Sequence, residues 1–79
     1  MNLHPANYGS HITLENPTVP MMMLACEELM KMVAATAKAH PTLDLLTLRT
    51  WFQASQDIEG GGIMIRLYWT AQDERRPNK

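Results

Sequence analysis

Residues 43–70 read LDLLTLRTWFQASQDIEGGGIMIRLYWT, and the folding of this stretch decides the architecture of the whole chain. Two readings compete over its first half. As a helix, Leu43–Gln56 gathers Leu45, Leu48 and Phe52 on one face. As a strand, Leu46, Leu48, Thr50, Phe52 and Ala54 alternate with Thr47, Arg49, Trp51 and Gln53. Threonine, tryptophan and phenylalanine favour a pleated surface, where branched and flat side chains pack against their cross-strand neighbours. The second half, residues 63–70, is β-branched and aromatic and keeps a period of two. Between the halves, Gly60, Gly61 and Gly62 supply a bend with unrestricted φ. One hairpin around residues 57–62 accounts for both halves at once, so the strand reading is preferred to the helix.

Upstream, the clearest element is a helix over residues 21–39, built from the strong helix formers Met, Leu, Ala, Glu and Lys. Thr18 is placed to cap it, and Pro20 fits a first turn, where a missing N–H leaves no partner wanting. His40-Pro41 stops it, because the residue before a proline is pushed out of helical geometry. Met22, Ala25, Cys26, Leu29, Met30, Val33 and Ala37 form a wide apolar face, which implies packing on more than one surface. Glu27, Lys31 and Lys38 share the opposite stripe, with Glu27 and Lys31 at ion-pair spacing. His40 suits the carboxyl end of the helix dipole. Further upstream, His11-Ile12-Thr13-Leu14-Glu15 alternates as a short strand that Pro17 and Pro20 close off. Residues 1–10 are rich in turn formers and read as irregular, and residues 71–79 read as a polar, solvated tail.

The expected fold is therefore α+β: one domain over residues 1–79, ordered β-α-β-β, with a three-stranded antiparallel sheet covered on one face by one long helix. A second helix at residues 43–56 would make it β-α-α-β instead. In the preferred arrangement Ile12, Leu14, Leu48, Phe52, Ile65, Leu67 and Trp69 meet Met22, Leu29, Met30 and Val33. The other face presents Arg49, Trp51, Arg66 and Tyr68.

Composition narrows the function classes. With 79 residues the core is thin, and small folds usually gain stability from disulfides, metals or a second subunit. The single Cys26 cannot form an internal disulfide, and no Cys/His cluster has structural-zinc spacing. An apolar content of 46% in so short a chain then points to a partner or a homodimer. The net charge of −1 is not the footprint of a general nucleic-acid binder. The longest apolar run, residues 21–26, falls well short of the roughly 20 residues a membrane span needs. Met23-Leu24-Ala25-Cys26 loosely resembles a lipoprotein cleavage box but lacks a positive segment before it. A lone cysteine and this composition suit a cytoplasmic protein with no membrane association.

Chemistry-bearing patterns are sparse. Cys26 lies on an apolar helix face, several turns from the amino end that would lower a thiol pKa, and reads as a small buried hydrophobe. His4, His11 and His40 match no ligand spacing, so neither a metal nor a cofactor is expected. The glycine run lacks the Lys and Ser/Thr of a phosphate loop. Glu27 and Glu28 diverge by about 100° on the helix, and Asp57 and Glu59 flank a turn, so no carboxylate pair is poised for acid–base work. Catalysis is thus the weakest of three hypotheses, since it demands a concave pocket with clustered titratable groups.

Arg49, Trp51, Arg66 and Tyr68, with Arg75 and Arg76 in the tail, are instead the residue types that dominate protein interfaces. They point to a stoichiometric protein-interaction module, an inhibitor or adaptor of a larger target. The size resembles that of small motif-free proteins carried by phages and mobile elements, an analogy of length alone. The same residues could stack on single-stranded bases, so a nucleic-acid-binding regulator is the alternative. Seven methionines also favour an adaptable, Met-lined binding groove over a rigid catalytic one.

Overall fold

The hairpin forms. In a computed structural model of the chain, which describes residues 6–56 and 59–73, the elements run β1 (Ala6–Glu15), α1 (Val19–Ala39), β2 (Leu43–Gln56) and β3 (Ile63–Asp73). They make an α+β domain whose single antiparallel sheet has the order β1-β3-β2. The last strand in sequence is thus the middle strand in space. The helix connecting β1 to β2 lets β3 return between them.

Local chemistry explains the helix. The Thr18 side chain accepts a hydrogen bond from the Met21 N–H at 3.3 Å, satisfying one of the first-turn donors, and Pro20 occupies the first turn. At the other end the His40 N–H donates to the Thr36 carbonyl at 2.8 Å before Pro41 turns the chain away. The ion pair on the exposed side joins Lys31 to Glu28 at 3.2 Å, one residue from the expected Glu27. Both groups are well exposed, so the pair contributes little.

The core lies between α1 and β3. Ala25, Leu29 and Val33 from the helix meet Leu67, Trp69 and Ala71 from the central strand and Leu43 from β2. Tyr8, Ile12, Leu14, Met32, Leu48 and Ile65 pack around this cluster. The Trp69 indole N–H donates to the Ser10 hydroxyl at 2.7 Å, so the one buried indole is satisfied by β1.

Four expectations change. β1 begins at Ala6, not residue 11, because residues 6–10 pair with residues 69–73 of β3 despite their turn-forming composition. β3 runs to Asp73, so residues 71–73 belong to the sheet and not to a polar tail; Ala71 and Asp73 are both buried. Phe52 lies on the helix side but is 55% exposed, and Met30 is 51% exposed. The reason for both is that α1 packs mainly over β1 and β3 and leaves residues 49–56 of β2 uncovered. Cys26 is only half-buried, at the edge of that uncovered strip. No helix among the described residues is long and apolar enough to cross a membrane.

The start of the hairpin's second strand is pinned by Asn16, which has the positive φ of 47° that asparagine tolerates better than most residues. Its backbone N–H donates to the Ile63 carbonyl at 2.7 Å, and its side-chain oxygen accepts from the Ile63 N–H at 2.8 Å. Asn16→Gly loses the side-chain bond alone, whereas Asn16→Ala also acquires backbone strain. Urea unfolding should therefore show the alanine variant less stable than the glycine variant by about 1 kcal/mol. Equal stabilities would show that the left-handed backbone at this position carries no such constraint.

Candidate binding face

The face of the sheet turned away from α1 is organised by register. Tyr68 of β3 stands opposite His11 of β1 on one side and Trp51 of β2 on the other. The three rings therefore form one rung across the sheet. Trp51 and Tyr68 stack with centroids 5.0 Å apart and planes 6° from parallel, and His11 tilts against Tyr68 at 5.4 Å. The neighbouring rung on one side holds Thr13, Arg66 and Gln53, and that on the other holds Gly9, Thr70 and Arg49. All four sheet residues expected on this face, Arg49, Trp51, Arg66 and Tyr68, are thus brought together. Arg75 and Arg76 lie outside the described residues.

This face exists because β2 contains an irregularity. Asp44 pairs with Gln72 and Arg49 with Thr70, so β2 takes five steps where β3 takes two, an insertion of three residues. An odd insertion reverses which residues point up. Leu43, before it, faces the helix; Trp51 and Arg49, also odd-numbered, face away. Local hydrogen bonds hold the irregular stretch. The Asp44 carboxylate accepts from the Leu46 N–H at 3.0 Å, and Thr47 donates to the Asp44 carbonyl at 2.7 Å and accepts from the Gln72 N–H at 2.8 Å. Leu46 is left 97% exposed at the apex.

Beside the irregular stretch, a concavity of about 580 Å³ is lined by Asn7, Leu46, Thr47, Arg49, Thr70, Ala71 and Gln72. Arg49 borders both this concavity and the aromatic rung. Gly9 keeps β1 close here, since a Cβ at that position would sit 2.7 Å from the Trp69 carbonyl oxygen. The central rungs carry Arg49 and Arg66, neither in an ion pair with a described residue. Glu15 and Asp44 lie towards the two ends of the face.

A second polar group left little trace in the sequence. Tyr8 stacks on His40 at 4.3 Å and its hydroxyl lies 3.3 Å from Nδ1. His40 Nδ1 is 3.9 Å from the Asp73 carboxylate, a carboxylate that is 1% exposed and also accepts from the Thr42 hydroxyl. The cluster ties β1, the end of α1 and the start of β2 to the end of β3. The alternation Leu67, Trp69, Ala71, Asp73 was its only trace in the sequence. His11 was likewise missed, although its alternation with Ile12 and Leu14 places it opposite the core.

Cys26 and the described histidines do not meet. His11 is on the far face of the sheet, and His40 is engaged with Tyr8. Among the described residues no three His, Cys, Asp or Glu side chains are grouped as metal ligands. No protein-family model, curated protein or solved structure matches the chain.

The stacked pair joins β2 to β3 across this face. A double-mutant cycle with Trp51→Ala and Tyr68→Ala should return a coupling of about 0.5–1.5 kcal/mol in denaturant unfolding. Strict additivity would show that the rings merely sit side by side.

Proposed function

We propose that the protein is a stoichiometric protein-interaction module, acting as an inhibitor or adaptor does, and that its open sheet face docks on an acidic surface of a larger target. The observation that carries this reading is the His11–Tyr68–Trp51 rung flanked by Arg49 and Arg66. Trp, Tyr and Arg supply large contact areas at small entropic cost, and they dominate binding hot spots. Trp51 is 42% exposed even within its stack, which leaves ring area for a partner to cover. A partner carboxylate beside Arg49 would also find the Thr47, Thr70, Asn7 and Gln72 side chains around the adjoining concavity.

The stack also explains why protein is favoured over single-stranded nucleic acid. Trp51 and Tyr68 each spend one ring face on the other. Base-binding sheets need those faces free for successive bases. The overall charge of −1 adds no long-range attraction for phosphates.

The test is affinity capture by the wild-type protein alongside Trp51→Ala and the double variant Arg49→Glu/Arg66→Glu. A target held by the wild type should bind Trp51→Ala about 30-fold more weakly and escape the double variant. Equal retention by all three overturns the assignment of this face. Titration with a single-stranded oligonucleotide covers the alternative: tight binding that collapses between low and moderate salt would replace the protein target with nucleic acid.

A further inference from the structure

β2 is an edge strand, and among the described residues its outer side pairs with nothing. Its residues 49–56 pair with residues 63–70 of β3 without a register shift. The irregularity lies wholly before Arg49, so this stretch is a regular ladder about 27 Å long. Every residue in it is exposed, and none belongs to the packing around the core.

Open sheet edges attract further strands, and proteins blunt them with proline, lysine, inward-pointing charges, bulges or a covering element. Residues 49–56, RTWFQASQ, contain no Pro, Gly, Lys, Asp or Glu. The insertion comes too early to interrupt them, and α1 leaves them bare. The other edge differs. In β1, Gly9 interrupts the row of side chains, and Tyr8, Ile12 and Leu14 are committed to packing on the core. Along β2 the free N–H and C=O groups recur at strand spacing, and an extended backbone is the structure that matches such a row.

We propose that the target presents an extended segment that adds to the outer edge of β2 as a fourth strand, with acidic side chains on one face and apolar ones on the other. This mode of docking rests on the binding reading of the open face and specifies which part of the target is held there. Side chains of the added strand alternate between the two faces of the sheet. Those on the open face lie beside Arg49, Trp51 and Gln53, with Arg66 one strand further in. Neither Arg49 nor Arg66 is in an ion pair with a described residue, and carboxylates are their complement. Side chains on the helix side lie beside Thr50, Phe52 and Ala54, where apolar groups suit the exposed Phe52 ring. Backbone bonds then supply affinity, and the alternation of the segment supplies specificity.

The probe is a capped octapeptide alternating glutamate and valine, titrated into the full chain while NMR hydrogen exchange follows each amide. Every second amide of residues 49–56 should slow, since the intervening ones already donate to β3, and the amides of β1 should not change. A lysine–valine octapeptide and an N-methylated glutamate–valine octapeptide should each bind about tenfold more weakly or worse. The proposal is overturned by no slowing at about 1 mM peptide, by slowing along β1 instead, or by equal binding of either control. It is also overturned if the edge amides slow with protein concentration alone, the sign of a second copy on the edge. Loss of the target by Trp51→Ala without slowing of the edge amides leaves the open face as the binding surface and removes the added strand alone.

Discussion

The packing of α1 on the central strand organises the rest of the molecule. Leu29 and Val33 press on Leu67, Trp69 and Ala71, and these are among the most deeply buried side chains of the chain. Because β3 is the last strand in sequence but the middle one in space, every other element is positioned through it. β1 is held by Trp69 through Ser10 and by Asp73 through His40 and Tyr8. β2 is held by Leu43 at one end and by the hairpin at the other. A helix that packs mainly on two strands of three is enough to close this core, and it leaves residues 49–56 of the third bare.

The three extra residues in β2 determine what the other face can do. Without them Arg49 and Trp51 would share the helix side with Leu43, and the aromatic rung could not form. Side chains alternate with a strict period of two, so an odd insertion is the only way one strand can both supply a core leucine and show a tryptophan of the same parity to the outside. The backbone polarity lost there is recovered by Asp44 and Thr47, which bond within the insertion and to Gln72. The irregularity thus links the core to the open face: it brings Arg49 onto the same face as Trp51, beside the adjoining concavity.

The two sides of the sheet differ in chemistry. The open face is mixed, with rings, two guanidinium groups and amides, and such a surface rewards a partner of matching charge. The strip between α1 and β2 is almost wholly apolar, lined by Val19, Met22, Met23, Cys26 and Phe52. Met22, Met23 and Met30 lie along this strip.

The sequence by itself determined the local elements. Thr18, Pro20 and Pro41 bounded the helix, and alternation with a glycine bend identified the hairpin, because capping, proline geometry and strand periodicity act between near neighbours. The same alternation placed Arg49, Trp51, Arg66 and Tyr68 on one face. Only the tertiary structure decided how far the strands reach, since residues 6–10 and 71–73 become strand through pairing between the two ends of the chain. It alone set the strand order, brought His11 to Tyr68 and buried Asp73 beside His40, because those contacts join residues more than 30 positions apart. It also decided that the helix would not cover residues 49–56 of β2. An amphipathic pattern states how much apolar surface a helix offers, but which strands it lands on depends on the crossover geometry, and that choice left Phe52 and Met30 exposed.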